Sequence, residues 1–119
     1  MHSEEAPRVL LGNLGPIMVI GMARLLGEEG AEVIGQEKHP SGIVSAAGRL
    51  RPDVVVLDLN ADGSRELGLR VQGVSPETKV ILCDSDEDGM EVLDAGADSL
   101  RRVDAEELQF ELATSRTPR

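Results

Sequence analysis

Apolar residues gather along this chain in short unbroken runs, separated by segments where they recur every third or fourth position. The runs fall at 8–12 (RVLLG), 31–35 (AEVIG), 54–58 (VVVLD) and 79–83 (KVILC), with a weaker one at 97–102. Short continuous runs rich in β-branched residues suit strands covered on both faces. After the first run, Pro16 stands where a first helical turn tolerates proline, and Gly30 follows a helix expected to end near Glu29. Pro40-Ser41 opens a second helix, with Ile43, Val44, Ala47 and Leu50 at helical spacing, and Arg51-Pro52-Asp53 breaks it. A polar turn from Asn60 to Gly63 precedes a weak helix over 64–71. The acidic stretch DSDEDG precedes a short helix expected near 90–95. Asp104 with Glu107 has the spacing of a capping box and opens a last helix.

The pattern is therefore strand then helix, five times over. Such alternation predicts an α/β domain with a parallel sheet between two helical layers. Right-handed crossovers leave few topologies, and the expected one is the (βα)5 flavodoxin-like three-layer sandwich with strand order 2-1-3-4-5. Residues 1–7 read as a flexible polar leader, 8–114 as one domain and 115–119 as a flexible tail.

Composition narrows the functions available. Phe110 is the sole aromatic in 119 residues, so the core must be built from Leu, Val, Ile, Ala and Met. A net charge of −10 repels phosphate backbones, and stacking aromatics are missing, so direct nucleic-acid binding by this domain is not expected. The single cysteine, Cys83, cannot form an internal disulfide and reads as a small core residue. His2 and His39 fall in a tail and a loop. Gly12, Gly15 and Gly21 lack dinucleotide-binding spacing. The start is acidic rather than a secretory signal, and no run is long enough for a membrane span. A cytoplasmic protein without membrane association is expected.

In this architecture ligands bind beyond the carboxyl ends of the strands, between the first and the third. Those ends carry Asn13 and Leu14, Asp58, Cys83 and Asp84 with Ser85, and Arg101, Arg102 and Val103. A carboxylate ending an apolar strand is costly to bury unless solvated, paired or metal-bound. Asp58 fits a nucleophile toward a phosphoryl donor, and equally a turn or helix-capping residue.

The segment RPDVVVLDLNADG resembles the stretch around the phosphoacceptor of receiver domains of the response-regulator family. RVLLGNLGPIMVIGMARLL resembles that family's first strand and helix. KVILC and AGADSLRR resemble its fourth strand and the segment leading into its fifth. The resemblance implies that Asp58 is the phosphoacceptor position. It also implies an acidic pair after the first strand, a hydroxyl after the fourth and a lysine after the fifth. Here these positions hold Asn13 and Leu14, then Asp84 (or Ser85 if the register slips), then Val103 with Arg102 beside it. Ala61-Asp62 replaces the usual Met-Pro, and the segment after the fourth strand is shorter than the family's. Mg²⁺ would have only Asp58, Asn13 and Asn60, with one carboxylate among them, so weak binding is expected and no cofactor is required.

Phosphoryl transfer depends on positioned charge, so these losses predict slow self-phosphorylation at most and no ordinary enzymatic activity. The resemblance thus implies an atypical receiver, or pseudo-receiver, acting in two-component signalling as a protein-interaction module. Its partners would be a histidine kinase or an output domain, including outputs that regulate transcription. The alternative is a working phosphoacceptor, phosphorylated on Asp58 by a histidine kinase. A small cofactor-binding domain is a third reading, disfavoured by the missing glycine-rich loop. No output domain is visible, so the chain reads as a stand-alone receiver or a fragment.

The first helix carries a further signal. Met18, Met22, Leu25 and Leu26 form the expected core stripe, while Ile17 and Ile20 point away from it. In the last helix Leu108 and Leu112 form the core pair, and Phe110 either points outward or folds back over the core. Ile17, Ile20 and Phe110 are the candidates for a partner or homodimer interface.

Overall fold

The computed structural model describes residues 6–115. The expected leader, apart from Ala6 and Pro7, and the tail beyond Ser115 lie outside the described residues, as does His2. The elements are β1 (Arg8–Gly12), α1 (Pro16–Glu28), β2 (Glu32–Glu37), α2 (Pro40–Leu50), β3 (Val54–Asp58), α3 (Ser64–Val74), β4 (Lys79–Asp84), β5 (Gly89–Leu93), β6 (Arg101–Asp104), a 3-10 turn (Ala105–Glu107) and α4 (Leu108–Ala113).

One mixed sheet runs in the order β2-β1-β3-β4-β5-β6. Strands β2, β1, β3 and β4 are parallel, as the apolar runs predicted. Every residue from Val54 to Leu57 is fully buried, as expected of a central strand. Two core clusters lie on the two faces of the sheet. One holds Val9, Leu11, Val54, Val56 and Ile81 under Leu26 of α1 and Leu108 and Leu112 of α4. The other holds Leu10, Val55, Leu57, Val80 and Leu82 under Ile43, Ala46 and Ala47 of α2 and Leu67 and Val71 of α3. A Cβ at Gly12 would come within 2.8 Å of Ile43 Cδ1, so glycine lets α2 lie close on β1.

The α/β flavodoxin-like layering is as expected, but the strand order differs at one end. The short helix expected near 90–95 is the strand β5, antiparallel to both β4 and β6. The expected fifth strand at 97–102 begins only at Arg101 and is the sixth in the chain. The reason lies in Val92 and Leu93. These adjacent residues are both buried, Val92 in the α1/α4 cluster and Leu93 in the α2/α3 cluster. Only an extended segment inside the sheet sends neighbouring side chains to opposite faces.

Smaller differences follow the same logic of local competition. Asp104 makes no side-chain cap hydrogen bond, so the capping box is not formed and a 3-10 turn leads into α4. Leu25, expected in the core stripe of α1, is 40% exposed, whereas Leu26 is fully buried. Val19 and Ala23 pack against the core alongside Met18 and Met22. Ile17, Ile20 and Phe110 are exposed at 86%, 70% and 60%, so Phe110 points outward and does not fold over the core. The edge strand β2 carries a bulge at Ile34, because Val9 pairs with Val33 while Leu10 pairs with Gly35.

At the amino-terminal end of β4 lies a partly buried ionic network that ties α4 to the sheet. Lys79 Nζ donates to Glu111 Oε1, to the Glu111 carbonyl and to Thr114 Oγ1, each at 2.9 Å. Arg101 donates to both oxygens of Glu111, at 2.7 and 3.0 Å, and to both oxygens of Asp94, at 2.6 and 2.9 Å. Lys79 and Glu111 are both buried. Among the described residues no helix is long and apolar enough to cross a membrane.

Candidate functional site

The carboxyl ends of β1, β3 and β4 and the strand β6 bring the predicted polar residues to one end of the sheet. Asn13 follows β1 with φ at +39°, a left-handed conformation that Asn tolerates better than most residues. This turn aims its side-chain amide across the sheet. Asn13 Oδ1 accepts from the Asp58 backbone N–H at 2.8 Å, and Nδ2 donates to Ser64 Oγ at 3.0 Å. The Ser64 hydroxyl donates in turn to the Asp58 carbonyl. The amide of Asn13 is thus committed on both sides to holding the backbone beneath Asp58.

Leu14 points the other way. It is buried in the core cluster under α1, so it offers no ligand and faces no site. Asp58, half-buried at the end of β3, accepts the Asn60 N–H on Oδ1 at 2.9 Å, a two-residue Asx-type turn. The Asn60 side chain then spans to β4, donating to Asp84 Oδ1 at 3.1 Å and to Ser85 Oγ at 2.9 Å. Asp84 also accepts the Asp86 N–H at 3.0 Å and Arg102 Nη2 at 3.1 Å. These bonds, that from Asn60 first, hold the Asp84 carboxyl below the usual carboxylate range.

Arg102 and Val103 separate as strand alternation dictates. Val103 packs against the α1/α4 core. The Arg102 side chain reaches Asp84, with Glu87 at 3.6 Å and Glu91 at 3.9 Å. Glu91 is itself clamped by Arg65 of α3 through two bonds at 2.8 and 2.7 Å. Cys83, one residue before Asp84, is buried, and its thiol is pushed up to about 12, first by burial and then by the charge of Asp58.

The donors around Asp58 are engaged with one another. Among the described residues no three His, Cys, Asp or Glu side chains converge as ligands. Asn13 Oδ1, which would have to turn toward a cation, already holds the Asp58 N–H. The Asp84 carboxylate is already neutralised by a guanidinium. Of the expected ligands, Asp58 is the one carboxylate, and Asn13 already holds a backbone N–H.

Asp58, Asn13, Asn60, Asp84, Ser85 and Arg102 are brought together, and Leu14 and Val103 are not. The sequence reading missed Ser64, Glu91 and Arg65. Ser64 opens a helix, where a hydroxyl is ordinary. Glu91 became visible only with β5, since a helix there would not have set it beside Arg102. Ile17 and Ile20 lie outside this circuit. Ile20, with Pro16 and Val19 of α1, Leu11, Leu14 and residues 36–38, lines an open, mostly apolar groove of about 470 Å³ between α1 and β2.

No family model matches the chain. Two curated relatives do. A nitrate/nitrite response regulator protein homolog from Haemophilus influenzae is 32% identical over 109 residues, which is 87% of this chain and 52% of that protein. The nitrate/nitrite response regulator protein NarP from Escherichia coli is 30% identical over 105 residues, 83% of this chain and 49% of that protein. The chain spans about half the length of the curated relatives it matches. Similarity over most of its own length, on a sheet of this kind, supports reading the chain as a response-regulator receiver domain.

Proposed function

We propose that this chain acts in two-component signalling as a receiver-like interaction module whose Asp58 pocket is held together by its own side chains. The observation that carries this reading is the closed circuit from Asn13 through Asp58 and Asn60 to Asp84 and Arg102. An Mg²⁺-dependent phosphoacceptor needs negative charge and free oxygens around the reacting carboxylate. Here an amide and a buried leucine take the acidic positions, and Arg102 supplies fixed positive charge instead. The module then communicates through surfaces, with a histidine kinase or an output domain as partner. Ile17, Ile20 and Phe110, the most exposed large apolar side chains among the described residues, are available for that contact or for a homodimer. The absence of a membrane-length helix among the described residues is in keeping with a cytoplasmic setting.

The test is incubation with acetyl phosphate and Mg²⁺ followed by intact mass. In a working phosphoacceptor an Asp58 oxygen attacks phosphorus, the phosphorus–oxygen bond to acetyl breaks, and acetate leaves. The expected result is no adduct above the level of Asp58→Asn. A stoichiometric adduct absent from that variant would overturn the reading and make Asp58 a phosphoacceptor in spite of its neighbours.

A further inference from the structure

Three of the four sulfur-bearing side chains among the described residues meet at one small cavity. Cys83 and Met90 stand directly opposite each other on the antiparallel strands β4 and β5. Residues paired in this way point to the same face, with β-carbons about 4.5–5.5 Å apart. Here that face lies under α1, and both residues belong to its core cluster. Met22 of α1 packs onto the same cluster. With Leu25 and Leu108 beside them, the three line a cavity of about 140 Å³ at the carboxyl end of the sheet. Met18, the fourth, does not line it.

Core packing explains a buried methionine but not this gap. Interiors hold few voids, and methionine is the side chain that best fills irregular ones. Two methionines and a cysteine here surround a space and leave it open. Cys83 is 8% exposed, and its thiol joins no disulfide and no hydrogen bond among the described residues. Two exposed carboxylates, Glu87 and Asp88, border the cavity. Asp58 lies opposite Cys83 in the β3–β4 register, and its negative charge is felt at the sulfur. The space therefore offers sulfur donors inside a field that favours a cation.

We infer that Met22, Cys83 and Met90 form a binding site for a soft monovalent cation, copper(I), held by one thiolate and two thioethers. Thiolate and thioether sulfur select Cu(I), whereas hard ions take oxygen. Zinc wants four thiolate, imidazole or carboxylate ligands in a structural site, and one thiolate supplies too few. On binding, a copper–sulfur bond replaces the sulfur–hydrogen bond of Cys83, and the proton leaves to solvent. The metal keeps its oxidation state. A Cu(I) ion on one thiolate carries no net charge, so an apolar cavity holds it without the cost of an unpaired buried charge. The three rotatable bonds of methionine let both thioethers close on the ion while the backbone stays in place. The bound ion would tie α1 to β4 and β5. This inference is separate from the reading of Asp58, since it needs neither phosphoryl transfer nor a partner protein.

The experiment is competition, without oxygen, for Cu(I) held in its coloured bicinchoninate complex. The full chain is expected to withdraw one equivalent and bleach the complex, and Cys83→Ala to lose that ability. Met22→Leu and Met90→Leu conserve volume, so the fold is kept. Each is expected to weaken binding by at least roughly tenfold, the scale of losing even an outer-shell partner of a metal. Met18→Leu is expected to bind as the parent does. On the unsubstituted chain, Ag(I) should shift the labelled methyl resonances of Met22 and Met90 and leave that of Met18 in place. The inference is overturned if no Cu(I) is withdrawn, or if Cys83→Ala still withdraws it. It is equally overturned if both leucine variants bind as tightly as the parent, which would leave a single adventitious thiol.

Discussion

The two ends of this sheet hold similar chemistry in different settings. At the amino-terminal end of β4, two cations and two carboxylates (Lys79, Arg101, Asp94 and Glu111) meet around a glutamate with no exposed surface. At the carboxyl end, Asp58, Asp84, Asn60 and Arg102 form a comparable network in contact with solvent. Burial decides what each is for. Inside the protein a charge without its partner is expensive, so the first network fixes structure. In solvent the second can exchange partners at low cost, so it is the end where a ligand or another protein can act.

That contrast is broken most directly at Glu111. Glu111→Ala leaves Lys79 buried without its carboxylate and is expected to cost about 3 kcal/mol in urea unfolding. Asp84→Ala, at the open end, should leave the midpoint close to that of the parent. Equal losses at both ends would sink the distinction.

Acid sharpens it next. Glu111 and Asp94 are both held below the ordinary carboxylate range, by Arg101 first and by Lys79 as well. A carboxyl lowered on folding stabilises the fold above its unfolded pKa, about 4 for these side chains, and that stabilisation is lost as pH falls through the lower folded value. Thermal melts should be flat from pH 7 to about 5 and fall steeply below about 4. The fall should be shallower in Glu111→Gln. A slope unchanged by that substitution would place the acid sensitivity elsewhere, for instance at Glu91, which Arg65 and Arg102 also hold low.

Asn13 gives a smaller effect. Asn13→Ala removes the bonds to Asp58 and Ser64 and leaves at positive φ a residue that tolerates it less well than Asn, for a loss of about 1–2 kcal/mol. Asn13→Gly keeps the turn and should recover part of it, separating backbone strain from the lost hydrogen bonds. The smallest effect is a rate. Cys83 should react with iodoacetamide at pH 8 far more slowly than a free thiol, because burial keeps it protonated. Asp58→Asn should raise that rate slightly by removing a neighbouring charge.

Much of this was written in the sequence wherever one physical demand dominated. Residues 54–58 could only be a central strand, and Pro16, Gly30 and Pro40 mark helix ends that the structure keeps. That Asn13, Asp58, Asp84 and Arg102 lie together at one end of the sheet also followed, since the ends of parallel strands lie side by side. What was not legible depended on choices between near-equal local options. Residues 89–93 are short enough to satisfy either a helical or an alternating pattern, and only packing on both faces settles it. The Lys79–Glu111 pair joins positions far apart in the chain, and a lysine opening an apolar strand gives no sign that its partner lies on the last helix. Leu14 could be placed next to the site from its number alone, but not turned away from it.

The antiparallel insertion of β5 also bears on how the chain reaches its native state. In the parallel half, Val9 must find Val54 across an intervening helix, strand and second helix. In the other half, Asp84 pairs with Gly89 across a tight turn, and β6 adds to the same ribbon. Closing short loops is fast, while long ones cost entropy before any contact repays it. The segment from β4 to β6 can thus zip up early, as a meander, and offer a ready edge on which β3 and then β1 condense.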